Sequence, residues 1–364
     1  MKPHKNIFRR IADFENLYQA FLMAAKGRRF RDEILAFAAN LEENLIELQN
    51  ELIHQTYEIG RYREFYIQER KKRLIMAIPF RDRVVQWGIY RVLFPLFSNG
   101  FIEDSYGCMP GRGAHKAVER VQYWMRLMEH RGERGYFLKL DISKFFYRVD
   151  HAVLMEILRR KLADDQLMWL LDRIVNSEDT AFGLPLGYNP GETDVRVADK
   201  GMPIGNLTSQ MFANVYLNEL DQYVKRKLRI RYYARYMDDI IIFSDSKLLL
   251  HEYKKIIEKF LNEELKLHLN NKTAIRPITL GLDFCGYKTW PTHIRLRKST
   301  ALGMKRRLKV IRIQYANGEI ELDKVKETMA SYMGLMQHCN SYNLRKKIAD
   351  TFVLKKNNPE KQHQ

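Results

Sequence analysis

The chain has 364 residues, enough for two or three subdomains around a sizeable core. Its formal net charge of +18 at pH 7 predicts a polyanionic partner, with nucleic acid favoured over an anionic membrane surface. No apolar run is long enough to predict a membrane span. The three cysteines stand far apart in sequence, which argues against a disulfide framework or a zinc module and fits a reducing cytoplasm.

The N-terminal part of the chain combines helical and strand patterns. Residues 5–56 carry two runs of apolar residues at helical spacing, which predict two helices packed into the core. Residues 57–80 predict short strands with many basic residues and interleaved Tyr and Phe. Such a ribbon is suited to a nucleic-acid backbone, although a solvated basic face explains it equally well. Residues 81–100 predict an apolar helix.

A glycine-rich stretch follows at residues 105–118, which read SYGCMPGRGAHKAV. Its Gly and Pro residues predict an irregular loop that leads into a helix. The side chains of Arg112 and Lys116, together with backbone amides of the loop, are suited to binding phosphates. A glycine-rich loop alone is not specific for that role.

The next stretches predict a strand, a helix and a long loop. Residues 136–150, YFLKLDISKFFYRVD, predict a strand that ends at Asp141, and Asp150 is placed to cap the helix that follows. Residues 176–200 are polar and predict a long loop or a small ribbon. Residues 201–210, GMPIGNLTSQ, lead into a further helix.

The most informative stretch is residues 229–244, RIRYYARYMDDIIIFS. Two runs of Tyr, Ile and Phe flank Asp238 and Asp239, which predicts a β-hairpin with the Asp pair at its turn. Two adjacent carboxylates repel each other and need a cation, and a hard divalent ion such as Mg²⁺ meets that need. A solvated surface turn would explain an isolated Asp pair. A third carboxylate, Asp141, would complete a two-metal site, but spacing alone does not show that the three meet.

The C-terminal third begins with a predicted helix at residues 248–265. The segments LHLNNKTAI and LDFCGYKTW follow within residues 267–290. Residues 298–364 predict basic helices that end in a disordered polar tail.

Taken in order, seven of these segments resemble the consecutive motifs of bacterial reverse transcriptases, over about residues 55–290. They are IPFRDRVVQ, SYGCMPGRGAHKAV, LKLDISKFF, GMPIGNLTSQ, RYMDDIIIF, LNNKTAI and FCGYKTW. The resemblance implies an α+β, right-hand polymerase fold with fingers, palm with an antiparallel sheet, and helical thumb. The expected domains are a helical extension at 1–56, fingers with part of the palm at 57–135, palm at 136–290, and thumb with polar tail at 291–364.

The resemblance also implies a catalytic centre. Asp141, Asp238 and Asp239 are expected to bind two Mg²⁺ ions, which Mn²⁺ can replace, and Ile142 is expected to offer its backbone carbonyl. Phe146 matches the aromatic gate that excludes a 2′-hydroxyl by steric clash, with an ordinary core Phe as the alternative. Lys272 matches a lysine near the leaving group, a candidate general acid, with a solvated lysine as the alternative.

Further positions follow from the same motifs. The expected nucleotide-binding residues are Arg81, Arg112, Phe146, Ile204, Gly205 and Gln210. The FCGY stretch resembles the primer grip and assigns Phe284, Gly286 and Tyr287 to it. The expected partners are template RNA, primer, cDNA and dNTPs, with no membrane.

One motif departs from most reverse transcriptases, which carry Gln where this chain has Ile204, and many of which have Ser-Pro in place of Ser209-Gln210. The form IGNLTSQ resembles the enzymes of diversity-generating retroelements. Those enzymes copy RNA with errors at adenines, their cDNA replaces a variable region in a target gene, and they work with a small basic oligomeric accessory protein. A cytoplasmic enzyme of bacterial or phage origin is therefore expected. Packing of Ile204 as a core residue is the alternative to a role in fidelity.

Other functions remain open on the sequence. Within the enzyme class, the alternative is another bacterial reverse transcriptase that is group II intron-like, solitary or defence-associated. An RNA-templated RNA polymerase is disfavoured because Phe146 would obstruct ribonucleotides. A catalytically idle nucleic-acid-binding protein would have no reason to retain clustered carboxylates at an electrostatic cost.

Overall fold

The structure, a computed structural model, describes residues 3–68, 72–132, 134–177, 180–185, 187–189, 192–193 and 195–356. Helices and small sheets alternate along this part of the chain, which confirms the predicted α+β class. The α-helices are α1 (Phe8–Ile11), α2 (Phe14–Ala25), α3 (Asp32–Ala39), α4 (Leu41–Ile53), α5 (Phe80–Ser98), α6 (Ala114–His130), α7 (His151–Arg159), α8 (Asp165–Val175), α9 (Leu207–Gln222), α10 (Lys247–Glu264), α11 (Lys298–Ala316), α12 (Leu322–Gln337) and α13 (Tyr342–Thr351).

The described strands form three sheets. They are β1 (Arg63–Gln68), β2 (Lys72–Ala77), β3 (Tyr136–Asp141), β4 (Tyr233–Tyr236), β5 (Asp239–Ser244), β6 (Ala274–Pro277), β7 (Leu282–Phe284), β8 (Tyr287–Thr289) and β9 (Ile294–Leu296). The first sheet is the β1–β2 hairpin, the second has the order β4-β5-β3-β6, and the third has the order β7-β8-β9. In the second sheet, β4 pairs antiparallel with β5 and β3 pairs antiparallel with β6.

The chain divides into two compact units, each built from three separate segments. The first unit comprises residues 1–108, 140–231 and 253–273, and the second comprises residues 109–139, 232–252 and 274–364. Strand β3 runs from the second unit into the first, since its last two residues are 140 and 141. The contiguous domain ranges expected from the sequence remain a prediction.

Two long helices form the centre of the first unit. Helix α5 packs against both α2 and α9. Helix α9 is buried nearly all round, as expected for a helix that lies inside the core rather than at the surface. Residues 201–210 lead directly into α9, so the predicted helix after this motif is confirmed.

In the second unit, helix α6 packs on the sheet that contains β4 and β5. The ring of Trp124 on α6 lies 6.1 Å from the ring of Phe243 on β5, and Phe243 lies 6.4 Å from Phe137 on β3. The three C-terminal helices share a smaller core of Met304, Leu308, Met336 and Ile348. The predicted basic helices after residue 298 are therefore confirmed as α11, α12 and α13.

The expectation of two helices in residues 5–56 is wrong, because that segment contains α1, α2, α3 and α4. Asp13 starts a new helix by accepting a hydrogen bond from the backbone N–H of Asn16. Asn40 has φ −125° and ψ 51°, which is not helical, and it separates α3 from α4. Apolar spacing continued across both breaks, so periodicity alone did not reveal them.

Several other predictions are confirmed with small changes. The basic ribbon is the β1–β2 hairpin, and the apolar helix α5 begins at Phe80, so Arg81 lies inside its first turn. Among the described residues of 176–200, Gly183 forms an isolated bridge with Val197, and Lys200 forms one with Asp150. The last residues of the predicted tail, 357–364, lie outside the described residues. None of the described helices combines the length and apolarity needed to cross a membrane.

Candidate active site

The hairpin of β4 and β5 presents the acidic pair, but its turn differs from the expected one. Tyr236 pairs with Asp239, so the two turn residues are Met237 and Asp238, and Asp239 is the first residue of β5. Met237 has φ 53°, the positive value that a type II′ hairpin turn requires at this position. For a residue other than glycine this conformation costs about 1–2 kcal/mol, so neighbouring contacts must hold the turn.

Arg235 provides one such contact from beneath the turn. Its side chain is completely buried, and its Nη1 donates a hydrogen bond to the Met237 carbonyl at 3.1 Å. A buried cation directly under an acidic turn also lowers the electrostatic cost of placing carboxylates there. Arg235 could not be singled out from the sequence, because an arginine between Ala and Tyr in a strand gives no signal of burial.

A second cation lies beside the acidic pair. Lys139 on β3 places its Nζ 3.0 Å from Oδ1 and 3.2 Å from Oδ2 of Asp239. The same Nζ donates to the backbone carbonyl of Asp283 on β7 at 3.0 Å. Both side chains are partly buried, so the pair is less screened by solvent than an ion pair at the surface.

Asp141 ends β3 and is held by a residue that sequence reasoning missed. The Nδ2 of Asn270 donates to Oδ2 of Asp141, and the Asn270 backbone N–H donates to the Asp141 carbonyl at 2.9 Å. The Oδ1 of Asn270 in turn accepts from the backbone N–H of Lys272 at 2.6 Å. The next residue, Ile142, is buried and forms a β-bridge with Leu269. The only advance signal was that Asn270 lies in the LNNKTAI motif.

The donor chemistry fits a hard divalent cation, since Asp238 and Asp239 supply adjacent, half-buried carboxylates. The Lys139 ammonium at Asp239 shows that this carboxylate already accepts a cation. In the described part of the chain, no three acidic, histidine or cysteine side chains are grouped so as to hold a metal ion together. Joint coordination by the three Asp residues is therefore a proposal and not an observation.

Phe146 lies in a short 3₁₀ turn next to a core residue. Phe145 is buried and packs edge-on against Tyr216. Phe146 remains half-buried, and its backbone carbonyl accepts from the Met202 N–H at 2.6 Å. Phe146 is partly exposed, whereas Phe145 is buried. Of the two rings, that of Phe146 is therefore the one that can contact a bound nucleotide.

The loop before α9 is tied to the β1–β2 region. The Ile204 carbonyl accepts from the Met76 N–H of β2 at 3.1 Å, and the Asn206 side chain donates to the Tyr62 hydroxyl at 2.9 Å. Gly205 has φ 126°, and a Cβ there would lie 3.3 Å from the Met76 carbonyl. Ile204 is half-buried, whereas Gln210 on the first turn of α9 is exposed. Hydrogen bonds to Met76 and Tyr62 therefore hold this loop against the β1–β2 region.

The expected basic contacts lie in different environments. Arg81 forms an ion pair with Glu51, and its guanidinium lies over the Tyr57 ring, 5.7 Å from the centroid. Arg112 lies between Gly111 and Gly113, which both have positive φ, in the predicted irregular loop. Lys272 is exposed. Arg81 would have to give up Glu51 before it could bind a phosphate.

A buried carboxylate follows Arg81 directly. Asp82 is completely buried and accepts from the Tyr57 hydroxyl at 2.7 Å and from the Gly60 N–H at 3.0 Å. Burial raises the pKa of Asp82 above its usual value, and these two hydrogen bonds act in the opposite direction. Asp82 therefore ties the segment before β1 to α5.

The segment expected to be a primer grip is the β7–β8 hairpin. Its turn residues Cys285 and Gly286 have φ 48° and 85°, as a type I′ turn requires. Phe284 and Tyr287 point inward and are buried, and burial raises the pKa of Tyr287 to about 12. Of the three expected grip residues, Gly286 alone is partly exposed, and its carbonyl accepts from the Arg297 N–H at 3.0 Å.

Comparison with known proteins places these residues in context. The sequence profile of the family described as "Reverse transcriptase (RNA-dependent DNA polymerase)" matches residues 64–289. The chain is 28% identical over 286 residues to Protein YkfC of Escherichia coli (strain K12), covering 69% of this chain and 72% of that protein. It is 24% identical over 385 residues to the Group II intron-encoded protein LtrA of Lactococcus lactis subsp. cremoris, covering 86% of this chain.

The chain spans only part of several similar proteins. It covers 60% of LtrA and 29% of the Putative COX1/OXI3 intron 2 protein of Saccharomyces cerevisiae. Among solved structures, telomerase from Candida albicans in complex with a fragment of telomeric RNA matches with a TM-score of 0.47 and 14% identity. That match covers 81% of this chain and 55% of the telomerase chain.

Proposed function

Because the chain belongs to the reverse transcriptase (RNA-dependent DNA polymerase) family, we propose that it copies a template RNA into cDNA from a primer and dNTPs. Membership of this family confirms the predicted right-hand polymerase fold. The observation that best supports the proposal is the β4–β5 hairpin, whose carboxylates lie at a turn held by Arg235 and Lys139.

Asp141, Asp238 and Asp239, with the backbone carbonyl of Ile142, would hold two Mg²⁺ ions, which Mn²⁺ can replace. When bound, such ions polarise the attacking 3′-hydroxyl and stabilise the leaving pyrophosphate. The chain's own contribution is to place the carboxylates: Arg235 holds the turn, and Asn270 orients Asp141.

The nucleotide would be selected and oriented by side chains around this centre. The half-exposed ring of Phe146 would clash with a 2′-hydroxyl and favour deoxynucleotides. Arg112, and Arg81 once it is released from Glu51, would bind the triphosphate, and Lys272 would protonate the leaving group. The Gly205 backbone and Gln210 would border the nucleotide, and the turn at Gly286 would hold the primer end.

For the type of reverse transcriptase, the proposal is the error-prone enzyme of a diversity-generating retroelement. The sequence GNLTSQ, with Ile204 in place of Gln before it, supports this assignment. An apolar side chain offers no hydrogen bond near the paired nucleotide. The proposal includes a small basic oligomeric accessory protein, a bacterial or phage origin and a cytoplasmic location.

A second candidate is a group II intron-like reverse transcriptase. It is favoured by the 24% identity to LtrA over 86% of this chain. The two candidates make different cDNA. Sequencing cDNA made in vitro from one RNA tests them, because a diversity-generating enzyme misincorporates mainly opposite adenine. Errors spread evenly over the four template bases would favour the second candidate.

A further inference from the structure

Lys139 holds Asp239 in the acidic hairpin, and it also connects two parts of the candidate site. Its Nζ contacts both carboxylate oxygens of Asp239, at 3.0 and 3.2 Å, and also the Asp283 carbonyl at 3.0 Å. The Asp283 carboxylate in turn lies 3.3 Å from the Nε of Arg297. One lysine therefore joins the acidic hairpin to the β7–β8 hairpin.

The position of Lys139 follows from strand geometry. Residues two apart on a strand share a face, so Lys139 and Asp141 lie on the same, half-buried face of β3. Leu138 and Leu140 are completely buried on this strand. Strand β5 is the neighbour of β3 in the sheet, which brings Asp239 within reach of the Lys139 ammonium. A lysine in a strand this apolar must leave its ammonium paired.

The contact with Asp239 has two opposing physical consequences. The ammonium orients the carboxylate and offsets the repulsion between Asp238 and Asp239. It also occupies the oxygens that a divalent cation would use, and a positive charge this close repels such a cation. A purely structural ion pair would have only the first consequence.

We propose that Lys139 is a positioning residue that holds Asp239 and competes with the divalent cation for it. Lys139 thereby sets the metal concentration at which the site fills. This inference rests on the proposed function, since it assumes that Asp239 is a metal ligand. Before metal binds, the Lys139 ammonium keeps the acidic hairpin of the second unit ordered.

The test measures metal binding directly, as well as activity. Terbium luminescence, with Mg²⁺ as the competitor, is titrated for the wild-type chain, Lys139→Met, Lys139→Arg and Asp239→Asn. Primer extension is then measured against Mg²⁺ concentration. Lys259→Met serves as the matched control, because Lys259 is an exposed lysine on α10 whose partner is Glu263.

In Lys139→Met, the half-saturating Mg²⁺ concentration should fall about threefold, the size expected of one partly exposed ion pair. The extension rate at saturating Mg²⁺ should also fall, because Asp239 loses its orientation. Lys139→Arg keeps the charge and should stay near the wild-type half-saturation. A fold defect would instead weaken metal binding and activity together. If Lys139→Met does not fold, Lys139→Gln replaces it with the same expectations.

The outcomes separate this inference from the proposed function. If Asp239→Asn weakens metal binding but Lys139→Met leaves the half-saturation unchanged or raises it, the competition is refuted and the metal site stands. If Asp239→Asn binds Tb³⁺ and Mg²⁺ as the wild type does, Asp239 is not a metal ligand and both proposals fail.

Discussion

The substitution Asn270→Ala tests how Asp141 is held in place. It removes the amide that donates to Oδ2 of Asp141 and the acceptor of the Lys272 N–H. A hydrogen bond to a charged group contributes about 1.5–3 kcal/mol. At about 1.4 kcal/mol per factor of ten, loss of this orientation would slow nucleotide addition roughly 10- to 100-fold.

The assay is single-turnover extension of a DNA primer on an RNA template at saturating Mg²⁺ and dNTP. Asn271→Ala is the matched control, because Asn271 is the adjacent, exposed residue and forms no hydrogen bond among the described residues. Thermal unfolding of both variants shows whether the fold is kept. If Asn270→Ala extends within twofold of Asn271→Ala, the orienting role of Asn270 is refuted.

Three further substitutions test other parts of the account. Phe146→Ala should raise ribonucleotide incorporation relative to deoxynucleotide, and an unchanged ratio in competition assays would make Phe146 a packing residue only. Asp82→Ala should lower the free energy of unfolding by about 2–4 kcal/mol, because the Tyr57 hydroxyl and the Gly60 N–H lose their buried acceptor; a urea-unfolding change below about 1 kcal/mol would contradict this. Ile204→Gln should lower misincorporation opposite adenine more than opposite other bases, and cDNA sequencing with an unchanged adenine error rate would refute a fidelity role.

The elements around the site could be predicted because their patterns are local. The alternating apolar residues that end at Asp141, and the two runs around Asp238, are sufficient to define β3 and the β4–β5 hairpin. The N-terminal helices could not be separated in the same way. Helical periodicity carries across a cap such as Asp13 or a single non-helical residue such as Asn40.

The residues that support the site were harder to predict because they act over long sequence distances. Asn270 contacts Asp141 across 129 positions, and Lys139 contacts Asp239 across 100 positions. Neither contact can be predicted from the composition or from the spacing of residues in the sequence. The turn was also placed one residue late, because Asp is common in turns, whereas here Met237 takes the positive φ.

We propose that the acidic hairpin is the catalytic centre of an RNA-directed DNA polymerase. This role is measured by Mg²⁺-dependent extension of a primer annealed to an RNA template, with wild-type chain and Asp238→Asn side by side. We expect extension by the wild type, a loss of about 10²-fold or more in the variant, and template–primer affinity within a few-fold of wild type. Extension by Asp238→Asn within a few-fold of the wild-type rate would contradict the account.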